Sequence, residues 1–524
     1  MEGPLTGKTP GRAPCIVGAA QRTWRPGPDP APEPLVMWEE VARAAADDTG
    51  VAQSTVLSRV GSLDVLYCQS WPYDDPAGRL CETLAVSPAR KEYSGIGGTT
   101  PHLLVARAAA AIAAGEVDVA VVVSGEALDT VRRAKKSGER LAWSYRDPEK
   151  KPFPFEEPFH PAEIAHSVFQ AWLTFAVFDV ARRAHIGTDP DGYRRALGEL
   201  LAPMTEVAEA NPNAWFPTRR TATELIEPTP SNRMVGYPYT KTMISVMDVD
   251  MAAAVVLASD EAADSLGVSS DRRVYLHGTG YALDPVYVAE HEPMWASPAM
   301  SQASSEALSS AGVGVDDIAY LDLYSCFGSS LNFACDALGI RPDDPRGLTV
   351  IGGLPFAGGA GSGYMTHSTS GMVDKLRSDP GAYGMVSGVG MHMTKHAFGV
   401  YRSAPPGETV VARLAAGGAE GAGLARSGAG TLAPRVRRAI CDVYSGDAVV
   451  AAYSVVHARG GEPEWGLAVC DLPDGQRAYA RVEEPALLTS MEKEEWVGAE
   501  LRLVAGDDRV NRVIDRKESD RGRA

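Results

Sequence analysis

Continuous apolar runs alternate with amphipathic runs in the first quarter of the chain. The runs "APCIVGAAQRTW", "SLDVLYC" and "VDVAVVVSG" are apolar along their length, which predicts buried strands of a largely parallel sheet. Between them, "PLVMWEEVARAAADDTG" predicts an amphipathic helix that ends at Gly50, and the alanine-rich run from Thr100 predicts a helix that ends at Ala114 and Gly115. The β-α-β order is typical of an α/β fold.

The same alternation returns later in the chain. Apolar runs "RRVYLHGTGYAL", "IAYLDLYSC" and "YGMVSGVGMH" predict strands, and "SQASSEALSSAG", "SSLNFACDALG" and "YMTHSTSGMVDKLR" predict helices between them. Two halves of similar construction are therefore predicted. Residues 128–246, which mix charged, proline-rich and helical stretches, are interpreted as a large inserted loop domain.

A different pattern follows the second half. Prolines, glycines and alanines dominate after residue 404, and then short runs such as "AVVAAYSVVHAR" and "WGLAVCDL" alternate with turn signals. This spacing predicts a small antiparallel, barrel-like domain, with a charged and frayed tail from Asp507. The predicted units are residues 13–285, 286–404 and 405–524.

Composition and charge exclude several function classes. The 524 residues are 45% hydrophobic and 22% charged, as in ordinary globular proteins, and no apolar run is long enough for a membrane helix. The seven cysteines are scattered without a CxxC pair, which disfavours a zinc site and a disulfide framework. A net charge of −17 disfavours nucleic acid and anionic membranes as partners. We expect a cytoplasmic protein without a metal.

Two glycine-rich loops and four other blocks together carry a family resemblance. The loops are "YSGIGGTTP" and "IGGLPFAGGAGSG", and the blocks are "DVAVVVSGE", "DVDMAAAVVLAS", "LYSCFGSSLNFACDALGI" and "HMTKHAFGVYRSAPP". With the β-rich C-terminal region, the chain resembles the thiolase superfamily, on the sterol-carrier-protein-type branch. It is most similar to the thiolase-like proteins type 1, often labelled acetyl-CoA acetyltransferases. The resemblance implies two βαβ halves in an αβαβα layered arrangement and acyltransferase chemistry on coenzyme A (CoA) thioesters in lipid metabolism.

The resemblance also implies four catalytic positions, and each carries an unexpected residue. Counting back from the end of the helix places the nucleophilic cysteine of thiolases at Gly98, and their activating histidine falls on Gly359. Their second cysteine falls on Gly388, and Tyr324 stands where the sterol-carrier branch has histidine. Because glycine has no side chain to acylate, we expect no acyl-enzyme at Gly98.

Several groups could still act in such a site. Thr99 and Thr100 follow Gly98, but a hydroxyl needs a nearby base, so helix N-capping is the simpler interpretation. The backbone N–H groups of Gly98 and Gly390 could polarise a thioester carbonyl, or these glycines could merely permit tight turns. Tyr324 is a potential acid or oxyanion donor.

The remaining candidates have simpler structural interpretations. Cys326 is a catalytic candidate, or otherwise a buried small hydrophobic residue. His392 and His396 have the spacing of a metal pair only on a helix, whereas their segment is interpreted as an edge strand. His367 and His166 are interpreted as structural residues.

The resemblance places CoA against the loop domain. Arg219 and Arg220 in "FPTRR" and Arg233 and Lys241 in "NRMVGYPYTK" are candidate phosphate partners, and Tyr239, like the nearby Tyr237, is a candidate stacking surface. The alternative is a solvated basic face without a ligand.

The sequence therefore predicts a thiolase-like protein that binds CoA or acyl-CoA, without a covalently bound cofactor and without conventional thiolysis. One alternative is a CoA-thioester retro-aldolase that uses Tyr324, and another is a non-enzymatic partner or scaffold protein. Thiolases pair through the strand before the nucleophile loop, which here is "ARKEYS" with three consecutive charges. Both a monomer and a homodimer are therefore considered.

Overall fold

A computed structural model describes residues 12–27, 30–149, 159–416 and 437–517. Two β-sheets organise these residues, one shared by the two predicted halves and one built mainly from the C-terminal region. No helix in the described ranges is long and apolar enough to cross a membrane.

The strand order of the larger sheet demonstrates the two similar halves. Within the described residues its nine strands run in the spatial order β3-β2-β4-β7-β1-β8-β11-β10-β9. If the strands of each half are numbered separately, the first half reads 3-2-4-5-1 from its outer edge to the centre of the sheet. The second half, β9-β10-β11-β8, reads 2-4-5-1 from its own outer edge to the centre, with no counterpart of the third strand among the described residues. The halves join where β1 pairs with β8 through Cys15–Tyr275 and Ile16–Val274, so β8 is the first strand of the second half and the predicted boundary at residue 286 falls after it. The strands are β1 (Pro14–Thr23), β2 (Ser62–Val65), β3 (Arg90–Tyr93), β4 (Val119–Ala127), β7 (Asp250–Ser259), β8 (Val274–Leu283), β9 (Ile318–Asp322), β10 (Tyr383–Gly390) and β11 (Lys395–Arg402).

Helices form the layers around and between the halves. Helix α4 contacts β4, β7, β8 and β11, and α13 contacts β1, β7, β9 and β10, so both central helices touch strands of both halves. Helix α1 covers the first half and α11 covers the second, which gives the expected αβαβα layers. The helices are α1 (Pro34–Asp47), α2 (Gln53–Leu57), α3 (Pro76–Leu84), α4 (Thr100–Ala113), α5 (Leu128–Ser137), α6 (Pro161–His166), α7 (Ala171–His185), α8 (Pro190–Ala210), α9 (Ala222–Ile226), α10 (Asp260–Leu266), α11 (Pro298–Ala311), α12 (Gly328–Leu338), α13 (Tyr364–Ser378), α14 (Glu408–Ala416) and α15 (Pro485–Lys493).

The C-terminal strands close into a five-stranded barrel. Their order is β13-β14-β16-β15-β12, and a further pairing of β12 with β13 closes the ring. A hairpin from the inserted region, residues 128–246 and called the loop segment below, extends this sheet, because Gly236 pairs with Val456 of the barrel. The strands are β5 (Met234–Gly236), β6 (Tyr239–Thr240), β12 (Gly446–His457), β13 (Pro463–Asp471), β14 (Arg477–Val482), β15 (Glu500–Ala505) and β16 (Asn511–Arg516).

The prediction of a frayed tail from Asp507 is wrong in part, because strand β16 lies within this segment and completes the barrel. Its charged residues face outward, while Asn511 is fully buried and its side chain donates to the Tyr479 carbonyl at 2.8 Å. The N–H of Asn511 also donates to Nε2 of His166 at 3.0 Å, which ties the barrel to α6. His166 is fully buried, as predicted.

Candidate active site

Tyr324 occupies the space that a side chain at Gly98 would fill. A Cβ on Gly98 would lie 2.5 Å from Oη of Tyr324 and 2.2 Å from the carbonyl oxygen of Val389. Both distances are shorter than van der Waals contact, so the tyrosine and a larger residue at position 98 exclude each other. Tyr324 follows β9, Gly98 precedes α4 and Val389 lies in β10, so the three elements meet at this point.

Two glycines near the end of β10, Gly388 and Gly390, lie in the same cluster as Gly98 and Tyr324. A Cβ on Gly388 would lie 3.1 Å from the carbonyl oxygen of Gly98 and only 2.2 Å from Sδ of Met365 on α13. A Cβ on Gly390 would lie 3.5 Å from Oγ1 of Thr99. The structure therefore brings Gly98, Tyr324, Gly388 and Gly390 together, with a methionine thioether filling the space beside Gly388.

The hydroxyl of Tyr324 has no hydrogen-bond partner within the described residues. Its ring is buried, with 6% of the residue exposed, and makes an edge contact with the ring of Tyr364 at 5.5 Å between centroids. Burial raises the pKa of the phenol far above its ordinary value, so the group is protonated at neutral pH. Tyr324 can therefore donate a hydrogen bond to an oxygen placed near Gly98.

Cys326 is buried beside Ser330, with 3.5 Å between Sγ and Oγ. Burial raises the pKa of its thiol to about 12, so the thiolate is not available at neutral pH. Its carbonyl oxygen accepts a hydrogen bond from the N–H of Ser245 at 2.9 Å, which makes this backbone part of the wall between the site and the loop segment.

Thr99 stands at the N-cap position of α4, but its side chain accepts no capping hydrogen bond. The prediction of side-chain capping is therefore wrong for Thr99. Its hydroxyl lies next to the phenol of Tyr281 on β8 and is almost fully buried. Thr100 is the first helical residue.

The second glycine loop contacts both the site and the loop segment. The N–H of Gly97 donates to Oγ of Ser362 at 3.0 Å, which joins the two glycine loops. Gly359 lies on the other side of its loop, where its N–H donates to the carbonyl of Val246 at 2.8 Å and its Cβ position is 2.7 Å from Oγ of Ser245. Gly359 is thus part of the boundary with the loop segment.

A cleft of about 710 Å³ opens on the far side of this boundary. It contains the aromatic residues Trp215 and Phe216 and the cations Arg132, Arg220 and Lys241. Arg132 is neutralised by Asp129 and Asp248, whereas Arg220 and Lys241 make no ion pair within the described residues. Asp129 and Asp248 themselves line the cleft, and the remaining lining residues are Pro26, Thr218, Ser231, Thr242, Ile244, Ser245, Val246, Met247, Pro355 and Phe356.

Only two of the five residues predicted to bind CoA line this cleft, namely Arg220 and Lys241. Arg219 is exposed and paired with Glu206, and Arg233 donates to the Met234 carbonyl at 2.8 Å. Tyr239 offers no stacking surface, because it is fully buried and donates its hydroxyl hydrogen to Asp179. Tyr237 is also buried, so the prediction of a stacking surface in this segment is corrected.

The sequence interpretation missed Phe216 as a cleft residue, although its segment was singled out. Its side chain is 44% exposed, which is unusual for a large apolar residue next to the buried Trp215. The sequence signal was an aromatic pair separated by two residues from a pair of arginines.

The histidines have structural partners. His396 lies in β11, which is an interior strand rather than the expected edge strand, and its Nε2 lies 3.1 Å from Oδ2 of Asp284. His392 contacts Oγ1 of Thr174 at 2.8 Å, and His367 contacts Oε1 of Gln21 at 3.1 Å. Within the described residues no group of three or more potential ligands is arranged for a metal ion.

Comparison with solved structures shows the family. A monomeric SCP2-thiolase-like protein type 1 from Mycobacterium smegmatis matches 97% of this chain and 99% of its own, with 30% sequence identity and a TM-score of 0.79. The chain belongs to the SCP2-thiolase-like proteins of type 1. The match extends over the whole thiolase region and the C-terminal barrel, so both are features that this chain shares with its relative.

More distant structures share the thiolase fold of this SCP2-thiolase-like chain. The dimeric peroxisomal thiolase of Saccharomyces cerevisiae covers 75% of the chain at 14% identity, with 98% of its own chain matched and a TM-score of 0.55. A complex named Ltp2-ChsH2(DUF35) aldolase covers 74% of the chain at 16% identity, with 97% of its own chain matched and a TM-score of 0.55. No protein-family model and no curated protein matches the sequence.

Proposed function

We propose that this protein binds CoA thioesters of lipid metabolism in the cleft beside the loop segment and does not form an acyl-enzyme. The observation that carries the proposal is a pair of cations, Arg220 and Lys241, that make no ion pair within the described residues and lie in an aromatic-lined cleft. Cations without carboxylate partners favour phosphate, and an exposed ring such as Phe216 offers a stacking surface for a base. These are the two ends of an adenosine phosphate.

The inner wall of the cleft leads toward the glycine cluster. Ser245 and Val246 line the cleft and bond to Cys326 and Gly359, which belong to the two loops around the site. A pantetheine arm that passes this wall would bring its thioester toward Gly98 and Tyr324. There, the backbone N–H of Gly98 and the phenol are available to polarise the thioester carbonyl.

Acylation of the protein is not expected in this arrangement. Gly98 has no nucleophile, Cys326 carries a buried thiol with a raised pKa, and Thr99 lies against Tyr281 rather than against a base. After incubation with acetyl-CoA, mass spectrometry should therefore show unmodified protein. An acetyl adduct on Cys326, Thr99 or Thr100 would contradict this part of the proposal.

Isothermal titration calorimetry with CoA tests the binding site. Replacing Arg220 and Lys241 together with alanine should weaken binding by about 1–3 kcal/mol, because charged hydrogen bonds to phosphate are lost. Arg219→Ala is the matched control, since Arg219 lies next in sequence but pairs with Glu206 outside the cleft. Equal affinity of the double variant and the wild type would remove these cations from the site.

A second candidate function is cleavage of a 3-hydroxyacyl-CoA by a retro-aldol reaction. The observation in its favour is the protonated hydroxyl of Tyr324, which has no hydrogen-bond partner among the described residues and lies within reach of Gly98. In such a reaction the 3-hydroxyl group would lose its proton to water and become the carbonyl of the released product as the bond between C2 and C3 breaks. The electron pair of that bond would form the thioester enolate, whose oxygen the phenol would stabilise until C2 is protonated.

Tyr324→Phe tests this candidate. If the protein is a retro-aldolase, kcat should fall by about 100-fold, while the melting temperature should hardly change because the hydroxyl makes no hydrogen bond to the described residues. Equal cleavage rates in the two proteins, or no cleavage in either, would leave binding as the function.

We also propose that the protein acts as a monomer. Strand β3 is at the edge of the large sheet, and its Arg90, Lys91 and Glu92 are at least partly exposed. Charged edge strands oppose pairing with a second sheet. The relative from Mycobacterium smegmatis is described as monomeric, whereas the more distant yeast thiolase is dimeric.

A further inference from the structure

A lysine lies beside the glycines of the candidate active site. Lys395 begins β11 and pairs across the hairpin with Gly390 at the end of β10. A Cβ on Gly390 would lie 3.1 Å from Cβ of Lys395, 3.4 Å from its Cδ and 3.5 Å from Oγ1 of Thr99. The methylene stem of the lysine and the Thr99 hydroxyl are therefore on the same side of Gly390.

Lys395 has no counter-ion among the residues that the structure describes. It is half-buried, and neither a hydrogen bond nor an ion pair is found for its ammonium group within the described residues. Burial lowers the pKa of Lys395. By contrast, the lysine Lys91 is paired with Asp75 at 3.1 Å.

The groups near Lys395 that the structure describes do not neutralise its positive charge. Thr99 opens helix α4, whose N terminus carries the positive end of the helix dipole. Tyr281 on β8 has a pKa raised to about 12 by burial, so its phenol is neutral. Asp284 follows Leu283, the partner of Lys395 on β8, but its carboxylate contacts His396. An unpaired ammonium in these surroundings is costly, and a bound anion would relieve that cost.

We propose that Lys395 selects acyl-CoA substrates whose acyl group carries a carboxylate. The inference rests on the proposed function, since CoA must first occupy the cleft. A thioester held near Gly98 would extend its acyl chain past Thr99 and Gly390, toward the lysine. A carboxylate on the acyl group is negatively charged before any reaction begins, so it can pair with the Lys395 ammonium as soon as the thioester binds.

Calorimetry with two acyl-CoAs of equal chain length tests the inference. Wild-type protein should bind succinyl-CoA at least about tenfold more tightly than butyryl-CoA, the scale of one charged hydrogen bond. Lys395→Met should remove this preference while leaving the affinity for butyryl-CoA unchanged, and Lys395→Arg should keep it. Lys375→Met is the matched control, because Lys375 is an exposed lysine in the last turn of α13.

Each other result has a separate meaning. Equal affinities for the two thioesters in the wild type, or a preference that survives in Lys395→Met, would overturn the role of Lys395 and leave CoA binding intact. Failure of CoA, butyryl-CoA and succinyl-CoA to bind at all would overturn the proposed function and this inference with it.

Discussion

At the scale of single residues, the site is defined by one complementary pair. Tyr324 is large where Gly98 is small, and the phenol oxygen lies where the side chain of residue 98 would begin. A cysteine at position 98 therefore cannot be added without moving Tyr324 and the carbonyl of Val389. The glycine at position 98 and the tyrosine at position 324 are one structural feature rather than two.

This complementarity predicts the effect of one added methyl group. Gly98→Ala should lower the free energy of unfolding by about 1–3 kcal/mol, the usual cost of overpacking. Gly95→Ala is the control from the same loop, because no atom lies within 4 Å of the Cβ position of Gly95. Chemical denaturation of the two variants measures the difference, and equal stabilities would show that the space at Gly98 is open.

At the scale of elements, the central helix α4 joins the two halves through a buried histidine. His102 lies in the first turn of α4, and its Nε2 is 2.8 Å from Oγ1 of Thr279 on β8. Its Nδ1 is 3.3 Å from the hydroxyl of Tyr401 on β11. Both partners belong to the second half, whereas α4 follows β3 of the first.

The burial of His102 predicts a loss of stability in acid. Burial lowers its pKa to about 4, below the value of about 6.5 in an unfolded chain. Its contribution is thus complete above pH 6.5 and is lost as the pH falls toward 4, which amounts to about 2 kcal/mol between pH 7 and pH 5. His102→Gln should show a smaller decrease in stability over this range than wild type.

Thermal melts at pH 7 and pH 5 measure this effect, with His185→Gln as the control because His185 is an exposed residue that stacks on Trp295. If His102→Gln and the wild type lost equal stability on acidification, the proton-linked role of His102 would be refuted.

At the scale of the whole molecule, the barrel is attached to the thiolase region through the loop segment. Arg183 of α7 is fully buried and donates to the hydroxyls of Tyr237 at 2.9 Å and Tyr453 at 3.0 Å and to Glu495 at 2.7 Å. These partners belong to the loop segment and to the barrel. The barrel therefore packs on helix α7, which contacts strand β12.

The proposed monomer is testable at this scale. Light scattering after gel filtration should give a mass near 55.5 kDa across a wide range of concentrations. Replacing Arg90, Lys91 and Glu92 with threonine and valine should favour association, because the edge strand would lose its charges. A wild-type mass of twice this value would contradict the proposal.

The local pattern of the sequence was sufficient for the elements of the large sheet. The apolar run at β4 is buried along its whole length, and α4 ends within a residue of the predicted position. These features depend on neighbours in sequence: an apolar run must be buried, and a glycine such as Gly115, at φ +80°, permits the turn that ends a helix. The family resemblance supplied the order of the two halves.

Tertiary structure alone decided the pairs that join distant segments. The charged segment β16 is a strand because β15 supplies its hydrogen-bond partners. Tyr239 is buried because Asp179 of α7 accepts a hydrogen bond from its hydroxyl. Likewise, the sequence placed glycine at position 98 and tyrosine at 324, but only the meeting of their loops put the phenol into the vacant space. Local propensity cannot specify such contacts, because their free energy arises only when segments far apart in the chain pack together.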